Sequence, residues 1–479
     1  MTNTDQNNTE SYPDTMDDPI IIQQRRGIKT IEVDEELMDD IRELVHERAK
    51  TILLNILTDL HPADIGEIVN RLDADDREFV FQILDNETAS EVLLELDPAD
   101  RQELLDKLPS EKISNYVGFL DSDDATDVVA ELPPSVAEKV LGGMRAEDSD
   151  EVKELLRYEK ETAGGIMGTE YVAVHRQDTI HRAIRGVREQ AKDQQTIYHV
   201  YVVDDEGVLV GVMPLQSLVL SSPHRRVYKV MERDVKSVPT DMDQEEVAAA
   251  FRKYDLVTLP VVDKTGRLVG QITIDDIVDI IEQEHSEDVA RMVGSDAEEL
   301  EHRSPAQIAL LRLPWVLITL AVEFFAGIVI HYFDETLSKV ILLASFMPII
   351  SAISGNTGLQ SSAIVVRALA TGHVTIDRWW QPVWRQFQTT LIIGSVCGIV
   401  LGTVGALWQE KFLFGAVVGV SMFISVNISG FVGTVTPMIS KHFKFDPALT
   451  AGPFETAFQD VVGITLFLAM ATAMLRWIA

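Results

Sequence analysis

Beyond Arg312 the chain holds five apolar segments, at roughly 314–332, 338–366, 388–408, 412–439 and 449–477. Most exceed the ~20 residues a helix needs to cross a bilayer. Five such runs in succession argue against a soluble helical core. A region with lipid as its solvent must satisfy its backbone polar groups internally, which predicts helices. The second segment is interrupted by Pro348 and the glycines of SGNTG, and is expected to break there and aim carbonyls at a cavity. Arg367, Arg378 and Arg385 cluster around one loop, and Lys441 and Lys444 lie in another. The positive-inside rule puts both loops on the cytosolic side with the N-terminal domains, and five spans put the C-terminus outside.

This third of the chain carries eight acids and eight bases, so the whole net charge of −35 belongs to residues 1–312. Such a surface repels nucleic acid and attracts cations, besides keeping the protein soluble. The one cysteine, Cys397, excludes a disulfide framework. The first residues are polar and acidic, unlike a signal peptide, and read as a disordered tail.

Leucines stand at 60, 72, 84, 96, 108, 120 and 132, twelve residues apart, each followed by a helix-start signal. Asp73, Asp85, Asp97 and Asp121 suit N-caps, and Pro62 and Pro98 suit the first helical position. Short helices of this kind bury their apolar faces only by stacking, so residues 35–145 read as a compact α-superhelix.

A second repeat follows. YHVYVVDDEGVLVGVMPLQSLVL (198–220) matches VTLPVVDKTGRLVGQITIDDIVDI (257–280), each reading strand, tight turn, strand, helix. The spacing resembles a pair of CBS domains. In that family a G-x-x-[ST]-x-x-D run binds nucleotide ribose. Gly270, Thr273 and Asp276 match it, which makes Thr273 and Asp276 candidate contacts for ATP. The first copy has Pro214 and Ser217 instead, so any adenosine site is single. An acidic helix then leads toward the membrane, and its like charges either face water or are screened by cations.

Asp460 lies inside the last apolar run and Glu323 inside the first. An ionisable group at the centre of a spanning helix costs at least ~2.5 kcal/mol and marks an ion path by default. A helix-packing carboxylate is the alternative for Asp460. Asn356, Thr357, Gly358 and Gln360 add oxygen donors in the second span. Oxygen donors without a His or Cys cluster favour a hard cation. Mg²⁺ suits a single carboxylate, because it keeps much of its hydration shell. A two-fold dimer would set two Asp460 side chains on one axis.

TAGGIM before the CBS pair, the acidic helix, GNTGLQSS, VVRALATG and DPAL…QDVVG together resemble the MgtE family of bacterial Mg²⁺ channels. The resemblance covers nearly all of the chain after about residue 35. It implies a homodimeric Mg²⁺-selective channel for uptake across the bacterial cytoplasmic (inner) membrane. Asp460 would be the ion-selecting carboxylate and Asn356 part of the pore lining. It also implies closure by cytosolic Mg²⁺. The ions would bind at Asp123 and Asp127 of the superhelix, and at Asp243, Glu245, Asp255, Asp276 and Asp279 of the second CBS copy. Glu284, Glu287 and Asp288 of the connecting helix and Asp446 near the membrane would complete the set. Mg²⁺ would thus be both cargo and regulator, with ATP a further candidate ligand. The chain departs from the family pattern at Gly452, where a polar residue is usual, and at SGNTGLQ in place of GGNTGNQ. The pattern does not explain Glu323, for which a pore-vestibule or helix-contact role is expected.

The expected architecture is multidomain. It comprises a disordered acidic tail (1–34), an α-superhelical N-domain (35–145), a linker helix (146–165) and tandem α/β CBS domains (166–228 and 229–290). An acidic connecting helix (276–312) overlaps the second CBS domain and precedes a five-helix transmembrane pore domain (313–479). A carrier, or a channel for another divalent metal such as Co²⁺, is the competing transport reading. A membrane-tethered sensor is the competing class. No P-loop, nucleophile–histidine–acid order or zinc-ligand spacing supports an enzyme.

Overall fold

The computed structural model describes residues 33–190, 197–295, 305–374 and 378–478. The expected tail, but for its last two residues, lies outside them. The chain divides into two units, Met1–Leu96 and Asp97–Ala479.

The first unit holds α1 (Glu35–His46), α2 (Lys50–Leu57), α3 (Pro62–Asn70), α4 (Ala74–Ile83) and α5 (Asn86–Leu94). Asp34 caps α1 by accepting from Leu37 N at 2.9 Å, and Asp85 caps α5 through Thr88 N at 3.0 Å. Met38, Ile41, Leu53, Ile65 and Phe81 are fully buried.

The second unit opens with α6 (Pro98–Lys107), α7 (Ser110–Val117), α8 (Ser122–Glu131), α9 (Pro134–Gly143) and α10 (Ala146–Leu155). From Pro62 to Ala146 each of these helices starts twelve residues after the one before it. The leucine period is therefore a period of helix starts. Leu72, Leu84, Leu96, Leu108 and Leu132, each just before a cap, are buried.

Two three-stranded sheets follow. In the first, β1 (Ala173–His175) runs parallel to β2 (His199–Val203), which pairs antiparallel with β3 (Leu209–Pro214). In the second, β4 (Val238–Pro239), β5 (Thr258–Val262) and β6 (Leu268–Thr273) repeat the order. Gly207 and Gly266 turn the two hairpins at φ +81° and +83°, where a side chain would be strained. The hairpins also clasp one another. Leu209 N donates to Gly266 O at 3.0 Å and Leu268 N to Gly207 O at 3.1 Å. Helices α11 (Ile180–Gln190), α12 (Leu215–Leu220) and α13 (Gln244–Tyr254) pack in the modules, and α14 (Ile274–Met292) leaves the second.

The acidic helix does not run on as a continuous element to 312. It ends at Met292, where Gly294 takes φ +75° and Ser295 N donates to Ala290 O at 2.9 Å. This is a glycine-terminated Schellman stop. Residues 296–304 of the expected connector lie outside the described residues.

Among the described residues five helices are long and apolar enough to cross a membrane: Pro305–Tyr332, Leu343–Ala370, Trp380–Gln409, Phe412–His442 and Pro447–Ala473. The last comprises a short turn of helix at Pro447–Thr450 and the long helix Pro453–Ala473. The first helix exposes Leu313, Val316, Leu320, Phe324 and Ile328, as lipid-facing positions should. The third and fourth pack backbone to backbone. A Cβ on Gly402 would come within 2.8 Å of Gly415 O, and one on Gly398 within 2.7 Å of Gly419 O. Small residues permit this approach, which dispersion then stabilises.

The second helix overturns the expected break. It is continuous from Leu343 to Ala370 through Pro348 and SGNTG. Pro348 falls in its second turn. The glycines serve contact rather than unwinding, since Gly358 lies against Ser429 of the fourth helix. Thr357 and Ser361 return their hydroxyls to carbonyls of their own helix, and Ser429 Oγ donates to Ser354 O. Neighbouring helices override the local breaker signals.

Candidate ion path and its acidic cytosolic faces

Asp460 stands on the fifth helix, two turns in from Pro453. A Cβ on Gly355 would lie 3.5 Å from Asp460 Oδ1, so the carboxylate packs where the second helix has no side chain. Oδ1 is buried and makes no hydrogen bond. The Glu323 carboxyl of the first helix lies against that of Asp460. The two intramembrane acids flagged in the sequence thus meet. Two carboxyls this close at membrane depth gather oxygen donors that a cation can share. A hollow of about 630 Å³ on the first helix is lined by Gly294, Ser295, Arg312, Trp315, Thr319 and Glu323 together with the apolar Val316 and Leu320.

Asn356 follows Gly355 and is exposed on the chain's surface. Ala352 and Gln360, one turn to either side, are exposed too. The second helix therefore turns a stripe carrying two carboxamides away from its own bundle.

On the Mg²⁺ path that the resemblance implies, Glu323→Gln should raise the half-saturating Mg²⁺ concentration of flux at least ~3-fold, on the order of 0.7 kcal/mol of lost ion attraction. Titrating flux against external Mg²⁺ measures it. Unchanged flux and assembly would leave Glu323 outside the path.

A first group of acids joins α13, α14 and the loop before the fifth span. Burial, then Asp446, Glu245 and Glu284, push Asp288 up to about 6, against the lowering effect of Lys441. Burial raises Glu245 too, helped by Glu284, Asp243 and Asp446, with Lys441 again opposing. Gln244 Nε2 donates to Glu284 Oε1 at 2.6 Å. Arg291 pairs with Glu287 and, at 2.6 Å, with Asp446. Asp446 also caps the short helix after it through Ala448 N at 2.7 Å. Six acids share two bases here, and the acids lead.

Gly452 closes this junction. A Cβ there would stand 2.7 Å from Met292 O, so any side chain collides with the end of α14. That contact accounts for glycine at a position where the sequence departs from expectation. Gly452→Ala should lower the thermal midpoint by the equivalent of ~1–3 kcal/mol, the usual cost of overpacking. An unchanged midpoint would show that the helix end yields freely.

A second group lies between α8 and α14. Asp123 and Asp124, in the first turn of α8, face Asp276, in the first turn of α14, with Asp121, Asp275 and Glu170 beside them. A Cβ on Gly168 would sit 3.3 Å from Asp123 Oδ2 and 2.8 Å from Glu170 Oε2, which shows how closely these carboxylates converge. Glu170 accepts from Ser122 N and Ser122 Oγ, both at 2.9 Å, and so caps α8. Each helix N-terminus offers ~0.3–1 kcal/mol to a nearby anion. Burial and like charge outweigh it. They push Asp124 up to about 7 and Asp276 to about 6, and hold Asp123 well above the usual carboxylate range.

Most of the expected regulatory residues therefore sort into two clusters. Asp123 and Asp276 form one, with Asp127 and Asp279 at its edges. Asp127 is near Lys160 and Arg101, and Asp279 near Glu282 and Asp275. Asp243, Glu245, Glu284, Glu287, Asp288 and Asp446 form the other. Asp255 joins neither; it is an exposed left-handed cap of α13 at φ +51°. Among the described residues no three His, Cys, Asp or Glu side chains are drawn together tightly enough to hold a metal ion in this arrangement. Thr273 and Asp276 form a capping box of α14, Thr273 Oγ1 donating to Asp276 Oδ2 at 2.5 Å. A nucleotide ribose would have to compete with that box.

Residues 347–470 match the family described as "Divalent cation transporter", MgtE, residues 60–161 the "MgtE intracellular N domain", and residues 163–221 and 227–283 the CBS domain. The chain is 36% identical to the magnesium transporter MgtE of Thermus thermophilus over 329 residues, 68% of this chain and 73% of that one. It is 33% identical to the magnesium transporter MgtE of Bacillus subtilis over 336 residues, 70% and 74% of the two chains.

The chain belongs to the MgtE family.

Among solved structures, the cytosolic domain of the Mg²⁺ channel MgtE in complex with ATP is similar at 36% identity and a TM-score of 0.48, covering 51% of this chain and 99% of that one. MgtE membership places the molecule among membrane transport proteins rather than enzymes, with CBS domains between the MgtE N domain and the apolar helices. The sequence had also shown an acid at Glu455 without giving it a role. The structure buries it completely inside the transport domain.

Proposed function

We propose that this protein is a Mg²⁺-selective channel that admits Mg²⁺ across the bacterial cytoplasmic membrane and is shut by Mg²⁺ on its cytosolic side. The observation that carries this reading is the meeting of the Asp460 and Glu323 carboxyls at membrane depth. A hard cation is the ligand such oxygens favour, and Mg²⁺ needs few of them because it retains water. The relatives named as magnesium transporters support the choice of ion.

A homodimer fits the exposed Asn356–Gln360 stripe. Carboxamides at membrane depth need water or a partner, and a pore shared by two copies supplies both. In this reading the C-terminus is outside and the N-terminal domains are cytosolic, the side that the positive-inside rule favours for Arg367, Arg378, Arg385, Lys441 and Lys444.

Closure follows from charge. Both acidic clusters couple α14 to another element, one to α8 and one to the membrane-side loop at Asp446. Cytosolic Mg²⁺ would neutralise them, draw these elements together and hold the pore shut; its removal would let them repel. Mg²⁺ flux into liposomes holding the purified protein, with Mg²⁺ varied on the cytosolic face, tests pore and sensor together. Single-channel conductance separates a channel from a carrier, and competition by Co²⁺ tests the choice of metal.

A further inference from the structure

Glu455 has no part in this scheme. It lies two residues after Pro453 and is 2% exposed. Neither of its carboxyl oxygens completes a hydrogen bond, nor does the buried Ser362 hydroxyl that faces it. A Cβ on Gly358 would come within 3.1 Å of its Oε1, and one on Gly433 within 2.6 Å. The carboxyl is thus seated against the backbones of the second and fourth helices, at two points where only glycine leaves space.

The groups around it are Gly358 and Ser362 of the second helix, Ser429 and Gly433 of the fourth, and Gln459 of its own. Among the described residues none of these is titratable or charged. Asp460 is five residues on and projects from another side of the helix. An adjoining hollow of about 330 Å³ is lined by Phe431, Val435, Ile439 and Phe458 and offers no cation.

A buried carboxylate without a partner costs several kcal/mol. A divalent ion would demand a near-complete shell of oxygens, for which the two glycine contacts leave no room. A proton needs none. We propose that Glu455 is a proton-binding site of the transport domain. It is held as the neutral acid while the second, fourth and fifth helices are packed as here, and gives its proton to water when they part. The proton is then a second ligand of a domain whose other ligand is a metal ion. Any conformational step that separates these helices is linked to proton release.

The test uses the full-length protein, wild type beside Glu455→Gln and Ser362→Ala, and needs no transport assay. The infrared difference between wild type and Glu455→Gln near neutral pH should contain a carboxylic-acid C=O band, and Ser362→Ala should shift that band without removing it. The thermal midpoint of wild type should fall relative to Glu455→Gln as pH is raised from about 6 to about 9, because ionisation opposes the packed arrangement. Carboxylate bands in place of the acid band would overturn the proposal, as would a midpoint difference independent of pH. If Glu455→Gln does not fold, a band in wild type that Ser362→Ala leaves unmoved has the same force.

Discussion

Replacing Asp460 by Asn should reduce Mg²⁺ flux into liposomes by at least ~10-fold, about 1.4 kcal/mol or more of lost ion stabilisation. The substitution keeps the shape of the side chain and its seat against Gly355, so it removes charge and little else. The electrostatic loss is large because the carboxylate acts away from bulk water, where Coulomb attraction is only weakly screened. Assembly should be unaffected, since Asn keeps the size of the side chain and a polar end for the Glu323 carboxyl to meet. Flux equal to wild type, with normal assembly, would make Asp460 a packing residue and move the search to Glu323 and the Asn356 stripe. Double substitution with Glu323→Gln should add little to Asp460→Asn alone, because two groups that hold one ion are not additive.

The second large effect concerns closure. Asp123→Asn together with Asp276→Asn should leave flux open at cytosolic Mg²⁺ levels that shut the wild type, displacing the closing concentration at least ~10-fold. The same cluster predicts a pH effect with a definite sign. Folded-state values raised to about 7 for Asp124 and about 6 for Asp276 favour the contact while these groups are neutral. That contribution is present in acid and is lost as pH rises from the free carboxylate range through those values. Protection factors at the first turns of α8 and α14, taken against the intrinsic base-catalysed exchange rate, should therefore fall between about pH 5 and about pH 8 without divalent ions. Millimolar Mg²⁺ should suppress the change in wild type but not in the double variant. Protection that changes with neither pH, Mg²⁺ nor the double substitution would separate this cluster from gating.

Cap residues made the helical array legible. Each Asp or Pro just after a spaced leucine announces a start on local grounds alone, so Pro62, Asn86 and Pro98 could be placed within a residue. The apolar helices were legible by length. The continuity of Leu343–Ala370 was not, because Pro348 and Gly358 are breakers only until a neighbour compensates them, and Ser429 is 71 residues beyond Gly358. The meeting of Glu323 with Asp460 was hidden for the same reason. Both could be flagged as intramembrane acids, but only helix packing brings them together. The resemblance supplied a roster of acids without their grouping. Asp446 and Asp288 meet through a turn at Gly294 that the run of acids gave no reason to expect. Nothing local to Glu455 marks it for burial. Gly358 and Gly433 each looked like a packing glycine, and only together do they make its seat.

The twelve-residue pitch of the N-terminal helices also bears on how this gene can change. A duplication of residues 86–97 would insert one more helix and leave every later cap in phase with its helix. Loss of one residue near Leu108 would shorten a single repeat, leaving its helix out of register with the neighbours it stacks on and its leucine off the core. Length in this region is thus effectively quantised. Viable insertions and deletions should come in whole multiples of one helix, and reading-frame-preserving changes of any other size should be purged as misfolded.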